Sequence, residues 1–539
     1  MKSVYFKDWT ENWKWISRIT LFLLLLSGLM QLGMFVLTQN YMVSYWGAQP
    51  EDIWFGVMAT YAGIITILPI QFRFLRYFET RSYLLFNLVV TILLNLACFY
   101  CQDLVLFLVL RFVQGIFAGN VIVCSLTLVF SLLPPERSRG IGAAVFYGTM
   151  LSNTVLIGLA SGIIVETFDW KFIYYGLVFF QIIMLGLVLL VLKRKSGMKS
   201  YPLYQTDFAG MAVFAVTIIS IAYTLLYGSK YYWFEDPRIC WSTFTGAIGL
   251  FLFIYRQYTA KRPVVNLDVF HSPKFLIGLA LLAIYYGTKD SINLIYNYTT
   301  GILKWSTLDM IILALCNLSG MVLFLIIAIR LIIVKKISVT AFLAPGFIVL
   351  AGFNFWMSYF LTPDLSFRDL LLPVFVQGLA SGLLFVPIMI FILSSAPPHT
   401  GTTGLIVAAY TRFTATLNSF VGFYNLQLYF NQYFKEDFLN NVTSENQNTI
   451  DRLNSYTTLY ISKGIWQEQS SLIANSQLAQ VIAQQSQLLT SRAIFMTFGM
   501  GLSLVALLII IIPLLHKMYI TLVIQKVPKA FSESLNSKA

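Results

Sequence analysis

The sequence is short of charge. Only 11% of its 539 residues are Asp, Glu, Lys or Arg, against 58% that are hydrophobic. A soluble domain carries about 25% charged residues, so this chain has too little polar surface to face water. Lipid is the solvent that the composition fits, in line with a mean hydropathy of +0.75. Histidine is nearly absent: His271, His399 and His516 all fall in or beside loops on one side, which excludes a histidine proton relay. Five cysteines include a single C-x-x-C, Cys98 and Cys101, with no second pair or neighbouring histidine. That excludes a zinc or thiol-redox centre, and no cofactor or metal is expected. A Walker motif is missing, which argues against an ATP-driven pump. The carboxylates are scattered, so no cluster suits a membrane-embedded enzyme acting on lipid. The N-terminal stretch lacks a small-residue cleavage site and reads as an interfacial segment, with Lys7, Lys14 and Arg18 interleaved among Trp9, Trp13 and Trp15.

What the chain has is apolar runs long enough to cross a bilayer, about 20 residues each. Fourteen are read, over 16–44, 54–72, 83–100, 104–133, 141–165, 172–192, 208–228, 239–255, 275–298, 307–329, 338–360, 369–395, 403–427 and 493–515. The fold class expected is an all-α polytopic membrane protein. The short loops after even-numbered runs hold 16 basic residues, among them Arg73, Arg137, Lys193, Arg194, Arg256 and Lys335; those after odd-numbered runs hold five. The excess of positive charge marks the cytoplasmic side and puts both termini there. The net charge of +13 is accounted for by topology and needs no nucleic acid. The long connection 428–492, rich in Asn, Gln and Ser, then lies outside, with a partly amphipathic helical stretch over 466–490.

An internal repeat is present. Phe112-Val113-Gln114-Gly115, followed by Gly119, matches Phe375-Val376-Gln377-Gly378, followed by Gly382, at an offset of 263 residues. Pro134-Pro135 and Tyr147 match Pro397-Pro398 and Tyr410 in the same register. Parallel repeats of six spans are one route to a transporter, and the glycine spacing suits close helix packing or gating.

These residues carry a family resemblance. Arg111-Phe-Val-Gln114-Gly115 resembles the R-x-x-Q-G motif of the 14-helix drug:proton antiporters of the major facilitator superfamily. Asp169-Trp170-Lys171-Phe172-Ile173 is similar to their W-R-W-I-F segment, Pro263-Val-Val-Asn-Leu267 to their loop before helix 9, and Pro373 through Pro387 to their helix 12. The likeness runs over nearly the whole chain. The loop after the second run departs from the family's G-x-x-x-D-R-x-G-R-R and reads Gln71-Phe-Arg-Phe-Leu75-Arg76; Gln31 stands where relatives keep an early aspartate. The resemblance implies a 6+2+6 arrangement: a six-helix bundle over 1–192, an inserted pair over 193–274, helices 9–13 over 275–427, the extracytoplasmic loop 428–492, and helix 14 with a cytoplasmic tail over 493–539. It further implies proton-driven export of small molecules across a bacterial inner membrane. The 14-helix relatives that pair with an extracytoplasmic adaptor, and through it an outer-membrane channel, have a loop in the same place.

Ionisable groups in the apolar runs are the functional candidates, because burying them in lipid is costly. Asp290 is the one deep carboxylate. Tyr286, Asn293 and Asn297 lie at i−4, i+3 and i+7 from it, a polar stripe on a continuous helix. Arg111, Lys289 and Arg412 are the deep cations. Lys289, one residue from Asp290, points about 100° away on such a helix, so the two need not pair. Arg412 begins a stripe with Thr416 and Ser419. Asp290 is expected to take the proton, and the resemblance adds Arg111 to the coupling. Gln31, Gln114, Tyr286, Lys289, Asn293, Arg412 and Thr416 are expected to line a substrate cavity, with Gly115, Gly119, Gly378 and Gly382 in helix packing or gating. Three cations against one carboxylate favour an anionic or zwitterionic amphiphile. The alternatives are a proton symporter importing an organic anion such as a siderophore, and a membrane receptor or scaffold that transports nothing.

Overall fold

A computed structural model describes residues 5–34, 39–133, 135–194, 203, 207–260, 263–400, 402–443 and 445–526. The tail beyond 526, expected in the cytoplasm, and Pro134 of the repeat lie outside them, and the side chain of Tyr147 is not described. The described residues are overwhelmingly helical. In chain order the helices are α1 (Lys14–Gly33), α2 (Gln39–Trp46), α3 (Pro50–Tyr77), α4 (Thr80–Tyr100), α5 (Leu104–Leu132), α6 (Pro135–Thr167), α7 (Phe172–Val191), α8 (Phe208–Tyr227) and α9 (Pro237–Thr259). They continue with α10 (Pro273–Lys289), α11 (Ile292–Gly301), α12 (Thr307–Ile333), α13 (Thr340–Phe360), α14 (Phe367–Ser395), α15 (Thr403–Asn441), α16 (Gln447–Ser462) and α17 (Gln467–Lys526).

Thirteen of these segments are long and apolar enough to span a bilayer, with α10 and α11 together forming one. The run read at 403–427 lies in α15, which falls short by composition because Thr411, Arg412, Thr414, Thr416, Asn418 and Ser419 interrupt its apolar residues. A helix facing a cavity rather than lipid can carry such a stripe. The segment 428–492 is not an irregular loop. Both α15 and α17 run on through it, and α16 packs against α17.

The packing repeats as the sequence does. In the first half α3 lies against α5, α1 against α5 and α6, and α4 against α7; in the second, α12 lies against α14, α10 against α14 and α15, and α13 against α17. The halves meet through α3 with α15 and α6 with α12, two contacts that the repeat interchanges. The pair α8–α9 packs on itself and leans on α3 and α15.

Glycine makes the tightest crossings possible. A Cβ on Gly115 would stand 2.0 Å from the Thr60 carbonyl oxygen, and one on Gly378 2.1 Å from that of Asn317. Gly119 and Gly382 meet Ile64 and Ile67, and Met321, in the same way one turn further on. Gly63 of α3 and Gly320 of α12 return the contact against the Phe112 and Phe375 carbonyls. These two partner glycines have no motif of their own in the sequence.

Candidate functional site

The span read at 275–298 is broken. The α-helix α10 stops at Lys289, Asp290 sits at φ −76°, ψ 3°, and α11 starts at Ile292. Backbone freed inside a membrane must find other partners. Here the Gln377 side-chain amide donates to the Lys289 carbonyl at 2.9 Å, and Gln377 is itself held by Asn317 at 2.5 Å. The break also places charge favourably. Lys289 lies at the C-terminal, negative end of α10, and Asp290 just before the N-terminal, positive end of α11. The Lys289 ammonium contacts the Asp290 carboxylate directly. The continuous-helix expectation that set them about 100° apart fails because the helix ends between them.

This pair opens into a cavity of about 280 Å³ between the halves. Tyr286, Lys289, Asp290, Asn293, Arg412 and Thr416 all line it, as do Trp54, Tyr61 and Met150 from the first half. Asn297 does not. The Arg412 guanidinium lies 5.1 Å from the Tyr61 ring centre and 5.2 Å from that of Tyr286, between one half and the other, and contacts the Met150 sulfur. Cation–π contacts of this kind are worth about 2 kcal/mol when desolvated. The Lys289 ammonium lies 5.1 Å from the centre of the same Tyr286 ring, so one ring serves both cations. A smaller apolar cavity of about 70 Å³, lined by Leu29, Ile65, Leu126 and Met389, lies beyond Tyr61 and Arg412. Toward the 428–492 end the cavity narrows at Trp54 and Phe420, whose rings are 4.1 Å apart.

Arg111, Gln31 and Gln114 are elsewhere. All three are fully buried within the first half and are absent from the cavity lining. Arg111 donates to the Gln114 side-chain oxygen at 2.8 Å, the Gln31 carbonyl at 2.5 Å and the Gln31 side chain at 3.3 Å. Gln31 and Gln114 both donate to Asn95 at 3.1 Å, and Asn95 to Gln181 at 3.0 Å. Arg111 therefore points into its own bundle, where neutral amides surround it. The cavity holds two of the three deep cations, and with Asp290 its formal charge stays positive.

Sequence reading missed Gln377 and Asn317 as supports of the break, and it missed a second buried network. Gln71, where the family loop motif has glycine, contacts Asn120; Tyr83 donates to Gln71 at 2.8 Å and Asn120 to Asn87 at 2.5 Å. The signal available was polar residues spaced four apart in apolar runs, which does not say what they face. Among the described residues no group of His, Cys, Asp and Glu could hold a metal ion.

The paired bundles, the inter-half cavity and the broken helix are the architecture of a secondary transporter. A profile of the Major Facilitator Superfamily matches residues 20–423, and the chain belongs to that family. It is 25% identical over 337 residues to the multidrug export protein EmrB of Escherichia coli, and 27% identical over 338 residues to EmrB of Haemophilus influenzae. Each match covers 60% of this chain and 62% of the relative, so the chain matches less than two thirds of their length. These exporters bear out the resemblance to the drug:proton antiporter branch. Of solved structures, a peptide transporter POT with bound sulfate superposes at a TM-score of 0.55 and 14% identity, over 91% of this chain and 94% of that one, which concerns the fold alone. The protein is a multi-pass membrane protein of that family.

Proposed function

We propose that the protein exports amphipathic small molecules in exchange for protons, by alternating access of its two six-helix halves. The observation that carries this is the Lys289–Asp290 pair at the broken helix, which lines the cavity between the halves together with Arg412. Asp290 is the group that gains and loses the proton. Arginine cannot do so in the physiological range, and lysine only with a pKa lowered by several units. The sign of coupling then depends on the substrate. A zwitterion sets its ammonium on Asp290 in place of Lys289 and its anionic end on Arg412. It competes with the proton for one carboxylate, which is what exchange requires. Tyr61, Tyr286 and Trp54 receive the apolar body. Alternating access explains why Arg412, on one half, is held between aromatic rings of both. In this reading Arg111 positions the first half and touches no substrate. The division at 192, 274, 427 and 492 follows the two halves, the inserted pair and the helical extension. The basic loops face the cytoplasm of a bacterium, and the α15–α17 extension contacts an extracytoplasmic adaptor.

One observation favours a second reading. Lys289 is already paired, so an anion that draws it away leaves Asp290 ready to accept a proton, and the two travel together as in symport.

Proteoliposomes separate these. Nε-dansyl-lysine, a fluorescent amphipathic zwitterion, is loaded and a pH step imposed. Exchange predicts that acid outside drives the probe out, and symport that it drives a dansylated carboxylate in. Asp290→Asn keeps probe exchange but loses the response to the pH step. A normal pH response in Asp290→Asn, or no movement of either probe by the unaltered protein, would sink the proposal.

A further inference from the structure

Beyond the charged cavity lies a second one of about 270 Å³, at the 428–492 end. It is built by α11, α15 and α17, all of the second half. Asn297 contributes from α11, Tyr424 and Asn431 from α15, and Gln487, Thr490 and Ser491 from α17. Two helices connect the cavities residue by residue. Asn293 lines the first and Asn297 the second; Phe420 lines the first and Tyr424 the second. Each step is four residues on a regular helix, one turn or about 5.4 Å. The second cavity therefore continues the first along the same two walls, past Phe420; its lining comes from the second half, with Glu51 of the first half beside Tyr424.

Its chemistry is different. No Asp, Glu, Lys or Arg lines it, only amides, hydroxyls, Tyr424 and Leu428. The guanidinium next in sequence, Arg492, is turned away onto the carbonyls of Ser358 at 2.9 Å and Tyr359 at 2.8 Å. The Ser486 hydroxyl donates to the Asn431 backbone carbonyl at 2.9 Å and side-chain oxygen at 2.6 Å, fixing α15 to α17 here. These α17 residues precede its apolar membrane part, so the extension itself walls the cavity.

We infer that this uncharged vestibule is a second substrate station on the way out, binding the polar head of an amphiphile through amides and hydroxyls after it leaves Lys289, Asp290 and Arg412. A substrate moving from ion pairs to neutral hydrogen-bonding groups is held less tightly, because charge-assisted bonds are about twice as strong as neutral ones. That step favours release. The inference rests on transport through the inter-half cavity, and the test keeps the two apart.

Single cysteines are placed at Asn297 and Asn431 in a Cys240→Ala, Cys316→Ala background and exposed to a membrane-impermeant methanethiosulfonate sulfonate from outside. This arm needs no substrate. Both sites are expected to react within about tenfold of each other; an Asn297→Cys site more than a hundredfold slower would overturn the vestibule, whether water is absent or lipid fills it. In the second arm, Asn297→Trp fills the space and Asn297→Gln preserves the amide. Efflux of Nε-dansyl-lysine should fall at least tenfold in Asn297→Trp and stay within twofold in Asn297→Gln, with probe binding to the purified protein unchanged in both. Full efflux in Asn297→Trp overturns the inference. If the unaltered protein moves no probe, the exporter reading fails and the labelling arm alone decides the vestibule.

Discussion

The two halves carry the same Phe-Val-Gln-Gly segment and use it differently. In the first, Gln114 receives the Arg111 guanidinium and joins Gln31, Asn95 and Gln181 in a closed network. In the second, Val374 replaces the arginine in the repeat register, and Gln377 instead supports the Lys289 carbonyl where a helix breaks open into the cavity. One buried glutamine thus stabilises a rigid half, and its counterpart stabilises an irregularity that carries charge. A repeat conserves backbone geometry, through Gly115 and Gly378, while the polar work is divided unequally.

Five substitutions test that division. The largest effect is expected at Arg111. Arg111→Leu leaves Gln31 and Gln114 without their donor, at a cost of about 1–3 kcal/mol for each buried group left unsatisfied, and should lower thermal stability in detergent sharply. Arg412→Leu should cost less stability than Arg111→Leu, because it gives up two ring contacts and leaves no buried amide without its donor, and should remove transport. If Arg111→Leu folds normally and only transport suffers, the first half is not a rigid support. Next come Gly115→Val and Gly378→Val. Each drives a side chain into a carbonyl of the neighbouring helix, costing about 1–3 kcal/mol or more, and the two should be equally damaging in the same melting assay. A large difference would mean that the crossings are not equivalent. The smallest change is Gln31→Glu, which puts a carboxylate beside Arg111. Stability should shift by less than about 1 kcal/mol, since pairing gain and desolvation roughly offset. The pH profile of transport should gain a second step. An unchanged profile would show that the first half does not move during the cycle in a way that senses charge.

Much of the fold was legible in the chain because its signals are local. Span length follows from hydrophobic runs, and the repeat from four glycines in register. The α15 span was readable by position, although its polar stripe keeps it below the composition of the other spans. The extension was read as a loop with one helical stretch; it is helical nearly throughout, because its Asn, Gln and Ser sit between apolar positions that pack α15 and α16 against α17. The stripe through Asp290 was drawn on an unbroken helix; Tyr286 and Asn293 line the inter-half cavity, and Asn297, one turn further along α11, lines the next one.

The candidate residues themselves were visible from their cost: an ionisable group in an apolar run is rare enough to stand out. Where each one points was not. Arg111 and Arg412 look alike in sequence, each a lone cation in a span with a polar residue three or four positions on. One is enclosed by amides of its own bundle and the other lies between rings of two. Hydrophobicity along the chain decides which segments enter the membrane and how many times. Which faces converge is decided by helices far apart in sequence, brought together by close glycine crossings and by buried groups whose hydrogen bonds lipid cannot supply. Only the assembled bundle could distinguish a guanidinium enclosed in its own half from one that lines the cavity between the halves.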